Sequence, residues 1–220
     1  MLAYFLLETR EWRERRMRKA LLASAVSMAV IAAASVLQPL PLVFAATLAF
    51  LILGWSEGNR YQSLASSRRI LLGFPAGAAV VVEGKILASI ASWAFALLVL
   101  SPPLVLSAIA WGVDPLACAS CLLAWLAAYV AAVSVGFFSS LVFSRSEGLL
   151  GVPLLILWLV VSSVNRLLAP ANPFIQVWDF LKGEGELPPY LGIAAIFLAS
   201  ALFFAASVST VSRLRKAGHE

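Results

Sequence analysis

The amino-acid sequence predicts an all-α integral membrane protein with six transmembrane helices, an amphipathic N-terminal helix and both termini in the cytoplasm. Two observations predict this fold: long apolar runs without charge, and basic residues collected on one side of them. A bilayer core takes about 20 apolar residues of helix to cross, and an ionised side chain at its centre costs about 3 kcal/mol. Of the 220 residues, 62% are hydrophobic, and five runs lack Asp, Glu, Lys and Arg: 20–56, 86–113, 115–144, 148–165 and 187–212.

The five runs divide into six spans, because the first is too long for one helix and carries Gln-Pro-Leu-Pro at 38–41. Pumps and ion-coupled carriers usually place Asp, Glu, Lys or His inside the bilayer as relays. We expect no such residue between the ends of these helices, which argues against that class. The predicted spans are 20–37, 41–55, 86–111, 116–140, 148–168 and 190–212.

The basic residues predict the orientation. Fourteen of the 16 Lys and Arg lie on one side of the spans, and only Arg166 and Lys182 lie on the other. The positive-inside rule therefore places both termini, including the tail 213–220, in the cytoplasm. The net charge of +5 is explained by this topology and does not indicate a nucleic-acid partner.

The segment 1–19 forms its own element. Apolar side chains fall on one side of a helical wheel, while Arg13 and Arg16 intrude on that side. We therefore predict an interfacial helix at headgroup level, where these arginines can snorkel. The alternative is a charged flank that orients the first span and is helical by coincidence. The apolar residues of the helix are Leu2, Phe5, Leu6 and Trp12.

A cytoplasmic loop at 56–85 joins the second and third spans. Ser66 or Ser67 can cap a short helix there, and Gly73 with Pro75 would end it. An apolar face on such a helix, exposed to the cytoplasm, predicts a partner protein. That face consists of Ile70, Leu71 and Phe74.

The loop resembles the signature loop of the ABC-2 type permeases, the membrane subunits of many bacterial ABC exporters. The resemblance rests on an acidic residue after the second span (Glu57), basic residues, Leu-Leu-x-x-Pro at 71–75 and Gly-Lys at 84–85. The amphipathic N-terminal helix, the six spans, the small-residue-rich 136–144 and the longer outer segment 166–190 also resemble that family.

This resemblance implies a transport subunit without a catalytic site, which exports a lipid-like or amphiphilic substrate. ATP and Mg would be bound by a separate cytoplasmic ATPase, and a second copy or a similar permease would complete the membrane part. Two alternatives stay open: a permease like the haem exporter of cytochrome c maturation, which Leu-Ser-Pro at 100–102 resembles, and a membrane scaffold or assembly factor without transport. The implied ATPase-coupling residues are Glu57, Arg68, Arg69, Ile70, Leu71, Leu72 and Phe74.

No other motif indicates catalysis, a cofactor or a metal. The Gly residues at 77–85 do not have the spacing of a phosphate-binding loop. Cys118 and Cys121 form a Cys-x-x-Cys pair, but no His or third Cys accompanies them, so a plain structural role is favoured over a redox or metal role. The single histidine, His219, belongs to the tail.

Polar residues within the spans are candidates for a transport pathway, with helix-packing hydroxyls as the alternative. The outer segment 166–190 is rich in aromatic residues and in proline, and its apolar residues at 174–181 predict a short interfacial or re-entrant helix. An aromatic belt at the membrane interface explains the same residues. The possible pathway residues are Ser139, Ser140, Ser162 and Asn165.

Overall fold

The computed structural model describes residues 22, 25, 26, 29, 33, 40–59, 77–142, 151–182 and 189–217. These residues are helical or lie in short turns, and they form no strand. The predicted interfacial helix at 1–19, most of the first span and the centre of the loop 56–85 lie outside them. The helices are α1 (Leu40–Gly58), α2 (Ala78–Ala110), α3 (Pro115–Val142), α4 (Gly151–Val164), α5 (Pro173–Lys182) and α6 (Pro189–Ala217).

Four of these helices are long and apolar enough to cross a membrane, which indicates a multi-pass membrane protein. They are α1, α2, α3 and α6, and they correspond to the predicted second, third, fourth and sixth spans. The fifth predicted span, 148–168, coincides with α4, of which the structure describes 14 residues. The helix ends at Val164, because Asn165 begins a turn. In this turn, Oδ1 of Asn165 accepts a hydrogen bond from the N–H of Leu167 at 2.9 Å.

Two helix boundaries differ from the sequence prediction. Helix α1 continues to Gly58 rather than 55, and α2 begins at Ala78 rather than 86. Both helices therefore contain ionisable residues, and Lys85 lies a full two turns inside α2. The expectation that these helices contain no Asp, Glu, Lys or His is therefore wrong. Glu57 and Lys85 can lie inside helices because they form an ion pair with each other, which is described below.

A tight turn joins α2 to α3. Gly112 has a φ of 62°, and the N–H groups of Gly112 and Val113 donate back to Ile109 and Ala108, which is a Schellman ending. Asp114 then caps α3, because its Oδ2 accepts from the N–H of Leu116 at 2.9 Å. Glycine supplies the left-handed conformation, and the carboxylate satisfies the first free N–H groups of the next helix.

Helices α1 and α3 run in the same direction and touch through their backbones. A Cβ on Gly54 would lie 2.5 Å from the carbonyl oxygen of Tyr129, and a Cβ on Gly58 would overlap that of Val133. From the other side, a Cβ on Gly136 would lie 3.0 Å from the carbonyl oxygen of Trp55. Small residues allow this close approach, as in membrane helix pairs with Gly-x-x-x-Gly. We call Gly54, Gly58 and Gly136 the glycine contact.

The two ends of the helix bundle differ. At one end, which we call the capped end, α5 lies against the starts of α1 and α6: Phe174 stacks on Phe44 with ring centroids 4.9 Å apart, and Phe180 lies 5.3 Å from Tyr190. At the opposite end, which we call the basic end, α1 and α3 finish and α6 ends with basic residues in its last turn. The predicted short helix of the outer segment is thus present as α5.

The start of α6 packs on the turn before α5 without room for a side chain. A Cβ on Gly192 would overlap the carbonyl group of Pro170 and would lie 2.7 Å from Nε2 of Gln176. We expect Gly192→Ala to lower the free energy of unfolding by about 2 kcal/mol, the middle of the range for overpacking. Denaturation in mixed micelles measures the loss. The matched control is Gly77→Ala, where a Cβ meets nothing within 4 Å, and equal loss in both variants would contradict this packing.

Candidate functional site

The basic end holds a fully buried ion pair between α1 and α2. Nζ of Lys85 lies 2.9 Å from Oε1 of Glu57, and both side chains are 0% exposed. The same ammonium group also donates to the backbone carbonyl oxygen of Glu57 at 2.9 Å. We call Glu57 and Lys85 the α1–α2 ion pair.

Burying two charges is costly, at several kcal/mol for each ion, so such a pair persists only with good geometry and further hydrogen bonds. Here Lys85 supplies two bonds to one residue, and one of them satisfies a carbonyl oxygen at the open C-terminal end of α1. A cation at that end is also favoured by the helix dipole. The pair thus joins the end of α1 to the first turns of α2.

The α1–α2 ion pair also joins the two ends of the loop 56–85, since Glu57 and Lys85 are 28 positions apart in the chain. The sequence singled out Glu57 as a coupling residue, and the structure places it at this junction. The sequence identifies Lys85 as a basic residue of the loop and as part of Gly-Lys at 84–85, and assigns it no partner. Its role could have been inferred from the apolar Ala-Ala-Val-Val-Val before it, which extends the third span toward the loop.

The other predicted coupling residues lie outside the described part of the chain. The same holds for the apolar residues of the predicted interfacial helix. The coupling residues concerned are Arg68, Arg69, Ile70, Leu71, Leu72 and Phe74, and those of the interfacial helix are Leu2, Phe5, Leu6 and Trp12.

The four possible pathway residues do not come together. Ser139 and Ser140 are buried near the basic end, and their hydroxyls donate to carbonyl oxygens one turn back in α3 at 2.9 and 2.7 Å. Ser162 and Asn165 lie at the far end of α4, where Ser162 donates to the carbonyl oxygen of Trp158 at 2.6 Å and Asn165 is exposed. The three hydroxyls therefore make contacts that are typical of helix packing.

Asn172 is a buried polar residue that the sequence reasoning missed. Its Oδ1 accepts from the N–H of Phe174 at 3.0 Å and so caps α5. Its Nδ2 donates to the hydroxyls of Ser162 and Ser163 at 3.1 and 2.9 Å and to the carbonyl oxygen of Leu159 at 3.2 Å. One side chain thus fastens α5 to the end of α4. The Asn-Pro pair at 172–173 is a helix-start pattern that could have indicated the cap.

An apolar cavity of about 130 Å³ lies at the capped end. Its walls come from four helices and one turn: α1 contributes Leu42 and Val43, α5 contributes Val177 and Leu181, and α2, α3 and the turn between them contribute the remainder. None of the four possible pathway residues is among those that line it.

Both cysteines of the chain line this cavity as free thiols. Cys118 is half-buried and Cys121 is buried, with its Sγ 3.7 Å from the carbonyl oxygen of Val177 in α5. Within the described ranges, no group of three His, Cys, Asp or Glu side chains could hold a metal ion. The cysteine pair is therefore part of an apolar wall that links α3 to α5.

Comparison with known proteins gives no relative for this chain: no family model, no curated protein and no solved structure matches it.

Proposed function

We propose that this chain is the permease subunit of an ATP-binding cassette exporter in a bacterial cytoplasmic membrane. In this proposal the basic end faces the cytoplasm, and a separate ATPase, which binds ATP and Mg, docks on the loop 56–85 and the interfacial helix 1–19. The catalytic site for ATP hydrolysis would belong to that ATPase and not to this chain. The observation that carries the proposal is the α1–α2 ion pair, because it makes one mechanical unit of the two helix ends that flank the loop.

The packing supports a path for force through the described helices. A displacement of the loop would move the ends of α1 and α2 together, since Glu57 and Lys85 hold them through two hydrogen bonds. Helix α1 in turn meets α3 through backbone atoms at the glycine contact, where no flexible side chain could absorb the motion. The loop is therefore coupled to α3, which lies at the centre of the described bundle.

The remaining parts of the proposal follow from the resemblance of the sequence to ABC-2 permeases. The exported substrate would be lipid-like or amphiphilic, which suits helices of low charge. An exporter needs two membrane halves above two ATPases, so we expect a homodimer, or a pair with a similar permease, with two-fold symmetry.

The coupling loop provides the test. Leu71→Asp is expected to reduce co-purification of the ATPase with the full chain from its native membrane by about 30-fold, since a buried apolar anchor is worth about 2 kcal/mol. Phe74→Ala should likewise release the ATPase or uncouple its activity from transport. Arg68→Ala, at the rim of the contact, should give a smaller effect that grows with salt concentration. Mass spectrometry of the purified complex measures the ATPase content.

The control is Leu202→Asn in α6, because that side chain is exposed on a span far from the loop in sequence. It should leave ATPase content unchanged. If the Leu71→Asp protein retains both the ATPase and ATP-driven transport in vesicles, the loop does not dock an ATPase and this function is wrong.

A second candidate function is an ion-coupled carrier, which the buried charges of the α1–α2 ion pair favour. Ionisable groups inside membrane helices often act as ion or proton relays. Vesicles that contain the purified chain, with and without the ATPase, separate the two functions. Uptake driven by a proton or sodium gradient without ATP would support the carrier, whereas transport that needs the ATPase and ATP would support the exporter.

A further inference from the structure

We propose that the cavity at the capped end binds a hydrocarbon chain of a membrane phospholipid, with the indole N–H of Trp111 donating to the ester carbonyl of that chain. This site lies at the opposite end of the bundle from the α1–α2 ion pair. It requires neither an ATPase nor transport, so it does not depend on the proposed function.

The chemistry of the walls selects hydrocarbon over water. Apart from the two thiols and the indole groups of Trp111 and Trp125, the lining side chains in the described part of the chain are aliphatic. A water molecule in a protein needs two to four polar partners, and apolar cavities of about 150 Å³ stay dry and take up benzene or xenon. With a volume of about 130 Å³, the cavity accommodates a short segment of an alkyl chain.

The position of the cavity points to the membrane as the source of that chain. Val105 lines the cavity and is also 54% exposed, so the wall continues onto the outer face of α2. Next to it on the same helix, Leu106 and Ile109 are exposed by 68% and 73%. The part of α2 before this face, Ala78–Pro102, is long and apolar enough to span a membrane, so we infer that lipid chains reach the exposed face that follows it. A chain can therefore reach the cavity sideways from the bilayer.

Trp111 adds a polar contact. It lies at the C-terminal end of α2, lines the cavity, and its Nε1 is buried without a hydrogen-bond partner among the described residues. Tryptophan is enriched at the membrane interface, where phospholipid ester groups also lie. A buried donor without an acceptor is unfavourable. A lipid chain that enters below Trp111 brings its ester carbonyl to the depth of this N–H group.

Photo-crosslinking of the full chain tests the proposal. The protein is placed in lipid discs of phosphatidylethanolamine and phosphatidylglycerol with a small fraction of phosphatidylcholine that carries a diazirine on one acyl chain. We expect adducts on the cavity-lining residues Ala108, Trp111 and Cys121 to exceed those at the exposed Leu198 and Leu202 by about fivefold, the ratio that one net hydrogen bond provides. A diazirine near the ester should label the walls more than one at the chain terminus.

Two variants sharpen the test. Ala108→Phe fills the cavity and should remove the excess of adducts, whereas Ala110→Phe, an exposed position on the same helix that does not line the cavity, should keep it. Trp111→Phe keeps a ring but removes the N–H donor, so the preference for an ester-linked chain over an ether-linked chain should disappear.

Wall adducts no more abundant than those at Leu198 and Leu202 would overturn the proposal without any variant. An excess that persists in a folded Ala108→Phe protein would also overturn it. Equal labelling of the wild type by ester and ether chains would refute the role of Trp111.

Discussion

Glu57→Ala is expected to lower the free energy of unfolding by about 3 to 5 kcal/mol, the cost of leaving one buried charge without its partner. Lys85 would lose an acceptor at 2.9 Å while remaining buried at 0% exposure. Unfolding in mixed micelles, followed by circular dichroism, measures the loss. Glu83→Ala is the matched control, because this carboxylate lies on the same helix as Lys85 and is exposed. It should change the stability by less than about 0.5 kcal/mol.

A double substitution shows that the loss arises from the pairing. Lys85→Met alone and Glu57→Leu alone should each be as harmful as Glu57→Ala, because each leaves one buried charge uncompensated. Combining Lys85→Met with Glu57→Leu replaces the pair by apolar groups, and the double variant should be more stable than either single variant. Strictly additive losses would show that the two charges do not interact, and would remove the main support for a joined pair of helix ends.

Gly58→Val is expected to separate α1 from α3 and to cost about 3 kcal/mol, the upper end of the range for overpacking. Its Cβ would overlap the carbonyl oxygen of Val133 and lie 2.8 Å from the backbone nitrogen of Phe137. Both atoms belong to the continuous helix α3, so neither can move without displacing that helix. The short turn at Pro170 that faces Gly192 can give way more readily, so the smaller loss is expected there.

The sign of the stability change separates the clash with α3 from a change in helix propensity. Because valine raises helix stability relative to glycine, a loss of stability in Gly58→Val can only reflect the contact with α3. Gly77→Ala serves again as the control with open space around the Cβ. A cysteine-crosslinking pair across α1 and α3 should also lose yield in Gly58→Val, and an unchanged yield with unchanged stability would contradict the close approach.

The helical class, and the four described helices long enough to span a membrane, follow from the sequence because hydrophobicity is a local property. A run such as 115–144 needs no knowledge of its neighbours to be recognised as a span, and the structure places α3 at Pro115–Val142. The short helix α5 could be predicted in the same way, from apolar spacing at 174–181. Six spans, the interfacial helix, the orientation and the ATPase partner stay predictions.

Tertiary structure decided the features that need two segments at once. In the sequence, Lys85 and Glu57 each look like charges at the end of a span. Only the distance of 2.9 Å between Nζ of Lys85 and Oε1 of Glu57 explains why both lie within helices. The need for glycine at position 58 follows only from its contact with Val133. The role of Trp111 follows only from the cavity that four helices form beside it. The physical reason is common to these cases: the free energy of a buried charge, a backbone contact or a cavity depends on atoms far away in the chain, which periodicity and composition do not describe.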